Sequence, residues 1–148
     1  MVSIRHAEES DEESVYESVT ALMAVSLDQR SFHEVFVQNL RDDNVLYYVA
    51  ERDGCVIGFA SLHIEPQLHH AGLVGEIQEL IVHETVRDKG IGAQLVSRLE
   101  REAQKRGCVS IEVTTKNFRV EAQRFYEHMG FTRTHENFTK NLKFVEHT

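Results

Sequence analysis

The stretch from Leu73 to Thr114 leaves the chain few folds to choose from. Leu73 to Val82 reads as a long strand, rich in apolar and β-branched residues. From Gly90 to about Arg106, Ile91, Leu95 and Leu99 recur at helical spacing with Ala93, Val96 and Ala103 beside them, and Gly107 is a natural stop. Val109 to Thr114 reads as a strand again. Strand, helix and strand joined in this way make a crossover, so the two strands run parallel and the connection is right-handed. Upstream, Asn44 to Glu51 and Val56 to Ile64 flank Arg52-Asp53-Gly54, a hairpin turn in which Gly54 takes positive φ at little cost. One sheet therefore holds both antiparallel and parallel pairs.

The remaining elements are shorter. Val2 to Arg5 alternates like a strand, Ser10-Asp11-Glu12-Glu13 is a capping box that opens a helix to about Val25, and Ser31-Phe32-His33-Glu34 opens another to about Leu40. A loop with Pro66, His69, His70 and Gly72 precedes Leu73. Arg119 to Met129 reads as a helix closed by Gly130, and Phe131 to Thr134 with Phe138 to Phe144 as a final strand pair. The predicted order is βααβββαβαββ, an α+β fold with a mixed, mostly antiparallel sheet flanked by helices. With one proline and no linker or repeat, residues 1–148 read as a single domain.

Composition narrows the function. Sixteen Lys and Arg against 24 Asp and Glu leave a net charge of −8, a field that attracts neither nucleic acid nor an anionic membrane. Cys55 and Cys108 stand far apart and form no metal or disulfide pattern, so both read as reduced thiols. Met1 to Glu13 is acidic where a secretory leader would be basic and then apolar, which places the protein in the cytosol.

The segment Arg87-Asp88-Lys89-Gly90-Ile91-Gly92-Ala93 sits where the buried strand gives way to the long helix. Two glycines let the backbone approach a ligand closely, while the first N–H groups of the helix point outward unpaired and suit a phosphate. Arg87 and Lys89 add positive charge, and Lys116, Arg119 and Arg124 are further candidates. No Gly-Lys-Ser/Thr follows and Leu95 stands where a third glycine would be, which excludes the mononucleotide and dinucleotide loops. A helix start with glycines chosen only for a tight turn is the plain alternative.

These residues, with Glu79-Leu80-Ile81-Val82 before them and Asn117 and Phe125-Tyr126-Glu127-His128-Met129-Gly130-Phe131 after, resemble the GCN5-related N-acetyltransferase superfamily. Its Arg/Gln-x-x-Gly-x-Gly/Ala pattern is matched by Arg87, Gly90 and Gly92. The resemblance implies that the loop binds the pyrophosphate of acetyl-CoA and that the pantetheine arm lies along Leu80, Ile81 and Val82. It also implies that Asn117 touches that arm and that Tyr126 protonates the departing thiolate. Tyr126 could instead be an aromatic core residue, and Asn117 a turn former.

Acetyl transfer needs a neutral amine, a polarised thioester carbonyl and a proton for the leaving group. Glu76 and Glu79 lie on a mostly apolar strand, where a carboxylate is paired, hydrogen-bonded or functional. In the superfamily, positions like these hold a general base or a substrate-facing carboxylate, and either residue is a candidate here. An unbroken strand would turn them to opposite faces, whereas the resemblance implies a bulge in this strand, whose one extra residue would bring both to one side. Neither cysteine adjoins a histidine in sequence, so direct attack in a ternary complex is expected rather than a covalent acyl-enzyme.

Ser61-Leu62-His63, Leu68-His69-His70-Ala71 and Gly75-Glu76-Ile77-Gln78-Glu79-Leu80 resemble the aminoalkylphosphonate N-acetyltransferases more specifically. That resemblance implies a small primary amine bearing a phosphonate. His63, His69 and His70 could hold such an anionic group or a divalent metal bridging to it, although their spacing is no tetrahedral zinc signature. Histidines on a solvated hairpin are the plain alternative. Other acceptors of the same reaction are an aminoglycoside, a polyamine or a protein amine, and a non-catalytic acyl-CoA-binding regulatory domain is a reading of a different kind. Dimers are common in the superfamily, and the sequence leaves the oligomeric state open.

Overall fold

The computed structural model describes residues 1–84, 86, 90–115 and 120–143. The chain divides into two compact units, Met1–Val113 and Thr114–Thr148. In the first, β1 (Ser3–His6), α1 (Glu12–Met23), α2 (Gln29–Leu40), β2 (Val45–Arg52), β3 (Cys55–Gln67), β4 (Gly72–Val82), α3 (Ile91–Lys105) and β5 (Ser110–Val113) follow in order. The strands form one sheet in the order β1-β2-β3-β4-β5. Every pair is antiparallel except β4 with β5, which α3 joins as the parallel crossover read from the sequence.

Each face of the sheet buries one helical layer. On one side Val15 of α1 and Phe36 of α2 pack with Tyr47, Val49 and Phe59. On the other, α3 turns Ile91, Leu95, Val96, Leu99 and Ala103 inward, all buried. Complete burial of aliphatic side chains such as Leu95 and Leu99 contributes about 1.5–3 kcal/mol each relative to exposure. Gly58 lets this layer sit close, since a Cβ there would lie 3.2 Å from Leu95 Cδ1. After α3, Gly107 takes φ +80° while Cys108 N–H donates to the Ala103 carbonyl and Gly107 N–H to that of Gln104, so orphan carbonyls are satisfied and the chain turns into β5.

The helix starts differ from the sequence reading. The box opening α1 is Glu8 with Asp11, around a short 3-10 turn at Glu9–Asp11, and not Ser10 with Glu13. Asp11 is held there by the Arg5 guanidinium at 2.8 and 2.9 Å, which keeps its carboxyl below the usual range against the opposing effect of burial. α1 ends at Met23, where Ala24 turns left-handed at φ 57°. α2 starts at Gln29 because Asp28 is the cap, accepting from Ser31 N–H at 2.9 Å and from the Ser31 hydroxyl at 2.8 Å.

β3 runs through Pro66 instead of ending before it. Beyond His63 no pairing with β2 is formed, so the missing N–H of proline costs no ladder bond there, and Pro66 stands opposite Leu73 in the β3–β4 pair. His69 and His70 then occupy a 3-10 turn at Leu68–His70.

The second unit contains α4 (Val120–His128). It ends as α3 does, with Gly130 at φ +94° and Phe131 N–H returning to the Tyr126 carbonyl at 2.9 Å. The strand pair expected over 131–134 and 138–144 is not formed in the described residues 131–143. Phe138 and Leu142 are 89% and 79% exposed, so these two apolar residues of the expected second strand cover no core, and a lone hairpin has little to hold it. Residue 144 lies outside the described residues. None of the helices among the described residues is long and apolar enough to cross a membrane.

Candidate active site

The site begins with an irregularity in β4. Ala60 faces Leu80 and Leu62 faces Ile77, so a two-residue step on β3 spans three residues on β4. Without that extra residue Glu76 and Glu79 would point to opposite faces. With it, Glu76 sits across from His63, Ile81 across from Phe59, and the Glu79 carboxylate meets the Ser61 hydroxyl at 2.5 Å. Phe59, Ser61 and His63 alternate onto one face of β3, the face covered by α1 and α2. Both glutamates therefore belong to that face, as a bulge requires.

A cavity of about 300 Å³ opens there between the helices and the sheet. Its walls are apolar side chains of α1 and α2, with Tyr47 and Phe59 below, and its polar lining comes from Asp28, Ser31, Tyr47 and Glu79. The two ionisable carboxylates have no cationic side chain among the lining residues to oppose them. Tyr47 accepts from Asn39 Nδ2 at 2.7 Å. Burial pushes its phenol up, the Asn39 donor works the other way, and the charge of Glu79 adds to the rise. Tyr47 is thus a neutral, fixed wall at ordinary pH. A larger hollow of about 380 Å³ lies against α3, lined by Ser97, Arg98 and Arg101 among others, and has no carboxylate among its lining residues.

Alongside the cavity the sheet parts. β4 pairs with β5 from Val74 opposite Ser110 to Ile77 opposite Val113, and then continues to Val82 beyond the end of β5. Leu80, Ile81 and Val82 remain paired with β3 on the other side, opposite Ala60, Phe59 and Gly58. At the end of this cleft α3 begins. Gly90 caps it at φ 74°, and nothing lies within 4 Å of where a Cβ would stand. Ile91 anchors the first turn by complete burial. The N–H groups of Ile91, Gly92 and Ala93 have no acceptor within the helix, and the helix dipole reinforces their positive end. Arg87, Asp88, Lys89 and Asn117 lie outside the described residues.

The three histidines have different partners. His63 is half-buried beside Tyr47, ring centroids 6.3 Å apart, and its Nε2 is buried without a hydrogen-bond partner. His70 Nε2 lies 3.3 Å from a Glu112 carboxylate oxygen, and His69 is exposed with its ring 4.4 Å from that of His70. Among the described residues no group of three or more His, Cys, Asp and Glu could hold a metal ion. Glu76 accepts from Gln78 Nε2 at 3.1 Å and is not part of the cavity wall.

In the second unit Tyr126 is buried, edge-on to Phe125 at 5.2 Å and to Phe131 at 5.5 Å. The hydrogen bond from Phe131 N–H builds this cluster locally. Burial pushes the phenol up to about 12, so it stays protonated through neutral pH.

Sequence reasoning gave Ser61 no role beyond its place in the Ser61-Leu62-His63 match and, although the resemblance implies that the first helices wall the acceptor site, it assigned none of their residues to the cavity. A serine inside Gly58-Phe59-Ala60-Ser61-Leu62 was a visible signal, a lone hydroxyl in an apolar strand. The wall of α1 and α2 carried none, because which side of an amphipathic helix meets a ligand depends on what it packs against.

A mixed sheet that parts beside a glycine-opened helix N-terminus, with a carboxylate at the floor of an adjoining cavity, is the architecture of an acyltransferase. Residues 7–131 match the acetyltransferase (GNAT) family, and the chain belongs to it. It is 42% identical over 139 residues to an aminoalkylphosphonate N-acetyltransferase of Salmonella typhimurium, covering 94% of this chain and 90% of that one. A crystal structure described as a transcriptional regulator from Bacillus halodurans superposes with TM-score 0.89 at 29% identity, over 96% of this chain and all of the other. An aminoglycoside N-acetyltransferase solved with CoA shares the fold at TM-score 0.86 and 19% identity, over 95% and 94% of the two chains.

Proposed function

We propose that the whole chain is a single, cytosolic acetyltransferase domain that moves the acetyl group of acetyl-CoA to the primary amine of a small molecule, and that aminoalkylphosphonates are the acceptor class. The observation that carries the reading is Glu79, a carboxylate in the wall of a small cavity beside the parted strands. Acetyl-CoA would set its pyrophosphate on the N-terminus of α3, with Arg87 and Lys89 beside it, and its pantetheine along Leu80 to Val82 and Asn117. Glu79 takes a proton from the bound ammonium. The free amine then attacks the thioester carbonyl carbon, a C–N bond forms, the C–S bond breaks, and Tyr126 gives its hydroxyl proton to the thiolate. The second proton shed by the nitrogen as it becomes the amide restores the Tyr126 hydroxyl, and Glu79 returns its proton to solvent. Glu79 is preferred over Glu76 as the base because it lines the cavity. Cys108 is half-buried with its thiol raised by burial, which suits no nucleophile.

The acceptor class rests on the Salmonella relative. The cavity supports the amine end, since its two carboxylates favour a cation. The phosphonate would extend toward His63, whose buried Nε2 is a polar atom on this face without a hydrogen-bond partner. Release of free thiol from acetyl-CoA, measured with aminoalkylphosphonates, alkylamines, polyamines and aminoglycosides, tests both halves. Highest kcat/KM is expected for an aminoalkylphosphonate; preference for an alkylamine that carries no anionic group would overturn the acceptor class. A second reading, a regulatory domain that binds acyl-CoA, is favoured by the likeness to the Bacillus halodurans structure. It predicts binding with no thiol release for any amine.

Tyr126→Phe separates proton donation from packing. The ring cluster stays filled, so turnover should fall about tenfold or more while acetyl-CoA affinity changes little. Equal losses in both would make the residue a cofactor contact only.

A further inference from the structure

The geometry points to Ser61 as the positioning residue for the general base, an inference that rests on the assignment of that role to Glu79. Ser61 is completely buried, one of two buried polar residues among those described, within the otherwise apolar run 56–62 of β3. It stands where β3 faces the extra residue of β4, because its neighbours Ala60 and Leu62 are opposite Leu80 and Ile77. A bulge of this kind takes a backbone group off the ladder. Here the Glu79 N–H donates instead to Ser61 Oγ at 2.9 Å, and the Ser61 hydroxyl donates to Glu79 Oε1 at 2.5 Å.

One side chain thus closes a ring with both ends of the same glutamate. As an acceptor it satisfies a half-buried N–H that the bulge takes off the ladder, which keeps the bulge in place and with it the face that Glu79 occupies. As a donor it holds one carboxylate oxygen back over the main chain. The carboxylate makes no other hydrogen bond among the described residues, so its second oxygen is left for a ligand in the cavity. Alanine can do neither job. A free glutamate side chain would sample several rotamers of its three χ angles, and only some would point a basic oxygen at the amine.

The test uses full-length Ser61→Ala, Glu79→Gln and the double variant, with kcat/KM for the acceptor amine, acetyl-CoA affinity and thermal midpoint read for each. Ser61→Ala should lower kcat/KM for the amine about tenfold to a hundredfold, the range for a hydrogen bond to a charged group, with acetyl-CoA affinity unchanged. In the Glu79→Gln background the same substitution should change the rate less than about threefold, since there is no base left to position. Losses that multiply, or a matching fall in acetyl-CoA affinity, would mean that Ser61 only supports the fold and would overturn the proposal. Full activity in Glu79→Gln would instead overturn the base assignment itself. If Ser61→Ala does not fold, Ser61→Cys fills the same space with a weak donor and acceptor and should show the same selective loss.

Discussion

Glu79→Gln is expected to lower kcat/KM for the acceptor amine by about a hundredfold to ten-thousandfold at neutral pH, the range that a positioned general base contributes. The substitution keeps the size of the side chain and an oxygen that can accept from Ser61, so the bulge and the cavity wall should persist. What disappears is the ability to take a proton from an ammonium ion. The deficit should therefore shrink as pH rises toward the pKa of the substrate amine, because an amine that is already neutral has no need of the base. Thiol release followed from pH 6 to 10 would show the two profiles converging on the alkaline side. A constant ratio across that span would assign Glu79 to binding the amine rather than deprotonating it. Activity within twofold of the unmodified protein at pH 7 would remove it from the mechanism.

Gly90→Glu should abolish acetyl-CoA binding at concentrations that saturate the unmodified protein. Gly90 sits at φ 74°, where a residue with a Cβ is strained by about 1–2 kcal/mol. The space around that Cβ is open, so the chain can still fold with a side chain there. A carboxylate in that space would meet the diphosphate about 5 Å away, and at an effective dielectric near 20 each such repulsion is about 3 kcal/mol, more than two orders of magnitude in affinity. Gly90→Ala separates strain from charge and should bind no more than about tenfold more weakly. Titration calorimetry with CoA measures both. Unchanged affinity in Gly90→Glu would place the pyrophosphate elsewhere.

Much of the fold was legible because it is written in local rules. The crossover follows from the apolar strand, the α3 face at helical spacing and Gly107. The hairpin at Asp53-Gly54 follows from turn chemistry, and both residues do take positive φ, 51° and 78°. The errors fell where two local solutions compete. Asp11 rather than Ser10 anchors the first helix because Arg5 and Glu8 N–H both reach its carboxylate. Pro66 stays within β3 because one side of the strand has no partner there, which a sequence does not say. The terminal strand pair was read from alternation that, in the described residues, has no surface to cover.

The site was legible in part for the same reason. The glycines at the start of α3 and the apolar strand with two acids announce a ligand, and the family resemblance ties them to an acetyl donor. By itself the sequence determined that an anion-binding turn, a crossover and two candidate carboxylates lie in consecutive elements, because spacing and backbone preference act over a few residues. Only the tertiary structure decided that one residue too many in β4 turns Glu76 and Glu79 to the same face. It likewise decided that Ser61, eighteen positions before Glu79, holds that carboxylate, and that α1 and α2 close an apolar cavity over it. Register and helix placement minimise the free energy of the whole packed sheet, and no window of neighbouring residues contains that sum.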